Sequence, residues 1–143
     1  MSENTGGKIA LELVKPQRYQ VLYQIVLGDQ PIGVIELDHI AWRSGEAELK
    51  ISIHQEEFHN HGYGTKAVVA LLEHAFTKMN LSRVYLRVHA NNPIAIRCYE
   101  KAGFKKEGRI SRPTEWNTQE EIFLMGISKT EFFKYSEAKS KTM

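Results

Sequence analysis

The chain holds one cysteine, Cys98, in 143 residues. It has no internal disulfide to make, which fits a reducing compartment and sets the cytoplasm as the default location. Absent too is any run of the roughly 18 apolar residues that a bilayer span needs, so no membrane partner is expected. The start, Met1-Ser2-Glu3-Asn4-Thr5-Gly6-Gly7-Lys8, lacks the apolar stretch behind a basic end that marks a secretory signal, and reads as a flexible leader. An excess of one charge is also missing. Lys and Arg number 19 against 17 Asp and Glu, a net charge of +2. Outside the tail from Lys134 to Lys141 no stretch concentrates basic side chains, and nucleic acid is not an expected partner. No internal repeat, low-complexity segment or linker interrupts the sequence.

What remains is the composition of a globular chain, 42% hydrophobic and 25% charged. Its length suits one domain over residues 1–143, with a flexible leader over 1–7 and a flexible tail over about 134–143. Ile9 to Val14 and Tyr19 to Leu27 read as strands parted by Lys15-Pro16-Gln17-Arg18. Gly28-Asp29-Gln30-Pro31 supplies a turn before a third strand over Ile32 to Ile40. Glu46 to His54 makes a fourth, with Leu49, Ile51 and Ile53 on one face and Glu48, Lys50, Ser52 and His54 on the other. From Gly64 the period changes. Ala67, Val68, Leu71, Leu72, Ala75, Phe76 and Met79 fall on one face of a helix. Arg83 to His89 returns to strand. Pro93 opens a second helix that Gly103 closes, and Phe104 to Ile110 and Glu121 to Ser128 read as closing strands. Beyond Lys129 a short helical turn and a disordered tail are expected. The pattern predicts an α/β fold: a mixed sheet of antiparallel N-terminal strands followed by a β-α-β-α-β half.

Two clusters carry chemistry. His59-Asn60-His61-Gly62-Tyr63-Gly64-Thr65-Lys66 runs from a strand into an amphipathic helix. Glycines let the backbone turn sharply with its N–H groups converging, and a helix start adds unpaired donors and positive dipole, so the stretch predicts an anion cradle. No Gly-Lys-Ser/Thr follows, which excludes a P-loop. The third glycine and downstream acidic residue of a dinucleotide fingerprint are missing as well. The second cluster is Asn92-Pro93-Ile94-Ala95-Ile96-Arg97-Cys98-Tyr99-Glu100-Lys101-Ala102-Gly103-Phe104.

Together the two clusters resemble the GNAT superfamily of N-acetyltransferases over roughly residues 19 to 132. The pattern is nearest the branch that acetylates ribosomal-protein N-termini and polyamines. Gly62-x-Gly64 matches the family's turn, with His59 where Arg or Gln is usual. Asn92, Ala95, Tyr99 and Gly103-Phe104 match at the family's spacing. The resemblance implies acetyl-CoA as co-substrate, a primary amine of a small molecule, peptide or protein as acceptor, and direct transfer without a covalent enzyme intermediate. It implies that His59, Asn60, His61, Gly62, Tyr63, Gly64 and Thr65 grip the pyrophosphate through backbone groups. Asn92 would hold the pantetheine arm, and Ser52, Ile53 and His54 would bind its amides and polarise the acetyl carbonyl where the fourth and fifth strands splay. Tyr99 would protonate the leaving thiolate, since a phenol carries a proton at neutral pH. Glu48 would act as base, its pKa raised in an apolar cleft.

Alternatives stay open on the residues themselves. Tyr99, with Ile96 and Phe104, also reads as core packing; Cys98 reads as a buried small hydrophobe. Glu46, His54 or a water chain could replace Glu48 as base. His54, His59 and His61 lack the convergent ligands of a metal site, and no metal is expected. The helices that relatives insert between their first two strands are missing here. An open groove for a protein amine, a homodimer whose partner supplies the wall, or a non-catalytic acyl-CoA sensor would each account for that. The loop Arg109 to Gln119, with Arg112, Glu115, Trp116 and the neighbouring Glu120, is the acceptor rim that remains.

Overall fold

The computed structural model describes residues 8–54 and 62–141. Seven strands form one sheet: β1 (Ile9–Pro16), β2 (Val21–Leu27), β3 (Gln30–Ala41), β4 (Glu46–Ile53), β5 (Arg83–His89), β6 (Lys105–Pro113) and β7 (Gln119–Ser128). Their spatial order is β1-β2-β3-β4-β5-β7-β6. The helices among the described residues are α1 (Tyr63–Thr77), α2 (Pro93–Ala102) and α3 (Lys129–Lys141). The mixed sheet is the one expected. β1 to β4 form an antiparallel meander, α1 crosses over to bring β5 parallel to β4, and β7 pairs antiparallel with both β5 and β6.

Register explains which side of the sheet becomes the core. Tyr23 lies opposite Ile35, Ile35 opposite Ile51, Leu37 opposite Leu49, Ala47 opposite Val84 and Val84 opposite Ile127. Side chains alternate along a strand, so these residues share one face. Against that face lie Ala67, Val68, Leu71, Leu72, Ala75 and Phe76 of α1, all buried at the three- and four-residue steps visible in the sequence. Ile96 and Ala102 of α2 and Phe132 of α3 join the same cluster. The opposite face, bearing Gln24, Glu36, Glu48, Lys50, Arg87 and His89, receives no helix among the described residues. Its openness follows from the β1–β2 connection. Only residues 17–20 join these strands, and Gln17 N–H donates to the Gln20 carbonyl at 2.9 Å, closing the turn without room for a helix.

The C-terminus departs from the expected short turn and tail, for α3 runs 13 residues. A reciprocal cap starts it. Glu131 N–H donates to Ser128 Oγ at 3.1 Å and Ser128 N–H donates to Glu131 Oε1 at 2.9 Å, the Ser-x-x-Glu box that satisfies two otherwise unpaired donors. Phe132 is then buried, its ring 5.5 Å from that of Phe76, and the Tyr135 hydroxyl donates to the Lys101 carbonyl. If α3 is part of the fold, Phe132→Ala lowers the stability read by urea denaturation by about 3 kcal/mol, and Ser128→Ala by about 1 kcal/mol. Unchanged midpoints for both would show a segment that contributes nothing to the core.

Candidate functional site

The site begins where two strands part. The β4–β5 ladder consists of Glu46↔Arg83, Ala47↔Val84 and Glu48↔Tyr85. Beyond Glu48, β4 continues beside β3 to Ile53 and β5 beside β7 to His89, so the sheet opens in its middle as the splay reading expects. His54 N–H donates to the Ile32 carbonyl at 2.8 Å. Antiparallel pairing alternates, so the main-chain groups of Ser52 and Lys50 also turn toward β3, and those of Ile51 and Ile53 turn toward the opened edge. Of the expected trio Ser52, Ile53 and His54, Ile53 therefore has its backbone at the gap; Ile51 joins it and was missed. The alternation of the strand was the signal that could have found it.

On the helix-covered side this edge forms one wall of a groove of about 650 Å³, whose lining includes Ile51, Ile53, Gly62, Gly64, Thr65, Asn92 and Tyr99. Gly62 is the N-cap of α1 at φ 79°, a conformation that favours glycine, and nothing would meet a Cβ there, so the turn and not space selects the residue. Among the described residues no side chain caps α1, and Gly62, Gly64 and Thr65 bring its first turn, the positive end of the helix, to the groove. Gly64 answers a different need. A Cβ on it would stand 3.3 Å from Cys98 Sγ, at the crossing of α1 and α2. Thr65 Oγ1 donates across the same crossing to the Cys98 carbonyl at 3.4 Å. Thr65 thus ties the helices together while lining the groove. Tyr63 is the first residue of α1. The expected contributions of His59, Asn60 and His61 lie outside the described residues.

α2 supplies the other wall. Asn92 caps it through Oδ1, which accepts from Ala95 N–H at 3.2 Å, so one of its polar atoms is committed to the helix. Arg97 and Lys101, one turn apart, also line the groove. Cations beside a helix N-terminus suit a phosphate-bearing ligand, and they were not singled out in the sequence. Cys98 is half-buried and burial pushes its thiol up, in keeping with a packing role. Tyr99 has its ring against Phe104 at 6.0 Å. Desolvation pushes the Tyr99 phenol up to about 12.

Glu48 sits on the opposite, helix-free face, at the last paired residue before the opening. It is 3% exposed, the one buried charged residue among those described. The expected apolar cleft is not what surrounds it. Arg87 Nε and Nη2 donate to its two oxygens at 3.0 and 3.2 Å, a fork on fork that the alternation of β5 places one step from the ladder's end. His39 Nε2 lies 3.8 Å from Glu48 Oε1 and 3.7 Å from Asp38 Oδ2. Lys50 Nζ holds Asp38 at 3.0 Å, and that ammonium keeps the Asp38 carboxyl below its usual range. His89 and Arg112 both approach Glu120. Among the described residues no group of three His, Cys, Asp or Glu side chains could hold a metal ion, and no helix is long and apolar enough to cross a membrane.

Known proteins resemble the chain in sequence and in fold. The sequence model of the acetyltransferase (GNAT) domain family matches residues 6–105. A spermidine N(1)-acetyltransferase of Vibrio cholerae is 35% identical over 79 residues, 55% of this chain and 45% of that protein. An aminoglycoside N(6')-acetyltransferase type 1 of Klebsiella pneumoniae is 42% identical over 52 residues, 36% of this chain and 26% of that one. The chain's matches span less than half the length of these curated relatives. Among solved structures, spermidine N-acetyltransferase from Vibrio cholerae in complex with CoA and spermine superposes with a TM-score of 0.74 at 26% identity, covering 81% of this chain and 69% of that one. A dodecameric structure of the same enzyme superposes at 0.75, with 26% identity over 84% and 71% of the two chains.

The ion pair sets a measurable stability. Arg87→Met strands a buried carboxylate and is expected to cost about 2 kcal/mol, below the usual figure for a buried pair because Arg87 itself is half exposed. The Arg87→Met/Glu48→Gln double variant should recover part of that loss in the same denaturation assay. A double variant as unstable as the sum of the singles would mean the two groups do not interact.

Proposed function

The chain belongs to the acetyltransferase (GNAT) domain family, and from that premise we propose that it moves an acetyl group from acetyl-CoA to a primary amine by direct attack in a ternary complex. The observation that carries this reading is the joining of three features in one groove. They are the start of α1, the opened edge of β4, and the half-buried Tyr99 phenol. The α1 terminus with Arg97 and Lys101 would hold phosphates, and main-chain groups of Ile51 and Ile53 would meet the amides of the pantetheine arm. His59, Asn60, His61 and Asn92 keep the family's binding roles in this proposal.

In the reaction the amine nitrogen forms a bond to the thioester carbonyl carbon and the carbon–sulfur bond breaks. Tyr99 gives its proton to the departing sulfur and regains one from the acetylated nitrogen. The raised pKa fixes the sign of the pH dependence. A phenol pushed up to about 12 stays protonated through pH 10, so the donor is present throughout the working range and its loss begins only above it.

The acceptor proposed is a cationic amine of the polyamine or aminoglycoside kind. The relatives that act on spermidine and aminoglycosides by name support this class. The helix-free face adds carboxylates, Asp38, Glu48 and Glu120 among them, interspersed with the cations Lys50, Arg83, Arg87 and Arg112. Self-association is proposed on the footing of the dodecameric relative. Light scattering of the purified chain checks it, and a monomeric mass at working concentration would end that part of the proposal.

A panel of polyamines, aminoglycosides and peptide N-termini with acetyl-CoA, read by free thiol, tests the reaction. No thiol release above hydrolysis with any amine would overturn it. Given activity, Tyr99→Phe should lower kcat about 10²-fold while cofactor affinity by calorimetry stays within about threefold. The wild-type rate should show no descending limb below pH 10. An unchanged kcat in the Phe variant would remove Tyr99 from the chemistry.

A further inference from the structure

Building on the acetyl-transfer reading, we propose that His39 is the group that takes the proton from the acceptor ammonium, with Glu48 and Asp38 as the residues that hold the resulting imidazolium in place. The first ground is Glu48 itself. Both of its oxygens are engaged by the Arg87 guanidinium and its side chain is almost wholly buried. A proton arriving there would have to displace a charge-assisted pair, which disfavours Glu48 as the acceptor.

The second ground is the backbone at His39. The β3–β4 register shifts between Asp38 and Ala41, a bulge, and His39 within it has φ 51°. That left-handed conformation is uncommon for a residue with a side chain, and it clusters where an element must re-aim a functional group. The other two described non-glycine residues with positive φ are Asn80 and Asn117, of a residue type that adopts it readily in turns. The His39 N–H donates to Asp38 Oδ1 at 2.8 Å and fixes the bulge. The imidazole thereby stands near carboxylates from two strands, with Nε2 3.7 Å from Asp38 and 3.8 Å from Glu48, within ion-pair reach once it gains a proton, while the side chain stays 62% exposed.

The carboxylates near it are Asp38 from β3 and Glu48 from β4; around these stand Lys50 of β4 on Asp38, Arg87 of β5 on Glu48, and Tyr85 of β5 opposite Glu48 in the ladder. Lys50 neutralises part of Asp38 and Arg87 part of Glu48. Two carboxylates therefore remain near a ring that gains positive charge, each steadied by its own cation. A base oriented by a carboxylate is a recurring catalytic arrangement, and histidine is the side chain that exchanges protons near neutral pH. The proton count closes. His39 takes one proton from the ammonium and passes it to solvent, and the second nitrogen proton replaces the one Tyr99 gives to the thiolate. The products are the amide, the free thiol and one proton.

His39→Gly is the variant to make, because glycine accepts φ 51° without strain. His39→Asn, also tolerant of that conformation, serves as a second fold-preserving variant. With an amine that the wild-type chain acetylates, both should lose about 10²-fold in kcat, and free imidazole at millimolar concentration should restore at least tenfold to the glycine variant. The ascending limb of kcat against pH should move in both. A rate within twofold of wild type, or a loss that imidazole does not rescue in a variant of unchanged melting temperature, overturns the assignment of His39. A wild-type chain that releases no thiol with any amine would instead end the acetyl-transfer reading.

Discussion

The function proposed for this chain depends on a ladder that stops. β4 and β5 pair over three residues and then separate, each keeping its other neighbour. A parallel pair held only at one end, in a sheet whose strands twist relative to one another, opens progressively along its length. The α1 crossover begins on the C-terminal side of β4 and so brings its N-terminus to the opening. From that geometry come the turn of the Ile51 and Ile53 main chain toward the opening, the groove between α1 and α2, and the place of Glu48 at the last paired position. Closing the ladder for one more pair would bury the edge and remove the groove's floor.

The sequence made some of this legible and hid the rest, for physical reasons that differ by element. Helix α1 was readable because its apolar residues recur at helical spacing: Ala67, Val68, Leu71, Leu72, Ala75 and Phe76 enter the core, while Met79, expected on the same face, lies past the helix end at Thr77 and is only partly buried. The Gly62 turn and Asn92-Pro93 start were readable because cap chemistry is local. Glu48 was placed on the outward face by alternation, which is correct, yet its burial was not foreseeable. The residue that covers it, Arg87, stands 39 positions on, and strand pairing of that separation leaves no local trace. α3 was underestimated for the opposite reason: its Ser128-to-Glu131 box is a local signal that went unused. The bulge at His39 could not be read at all, since it is set by the register of β4 against β3 and by no turn residue.

The helix-free face inverts the usual logic of a half-covered sheet. Antiparallel sheets commonly keep one face wet and polar, and here that face carries most of its charge in cross-strand pairs: Asp38 with Lys50, Glu48 with Arg87, Glu120 with Arg112. Glu36 has a different partner, accepting from Gln20 Nε2 at 2.6 Å. Such pairs set a local field without a high net charge. For a cationic acceptor the consequence is orientation more than strong binding, because most of each carboxylate's field is already met by a cation.

In the proposed reaction the two faces would divide the proton chemistry between two media. Tyr99 lines the groove on the helix side, where desolvation makes its proton hard to lose to water, as the proposed donor to the departing sulfur requires. His39 lies on the open side, with most of its ring in solvent. A phenol that must stay protonated, and so neutral, suits the less solvated side, and a base that must give up its proton after each turnover suits the wet one. The short β1–β2 connection produces that division. A helix laid over the face would shelter an acceptor but would also slow the release of a proton, and without one among the described residues His39 stays in contact with bulk water.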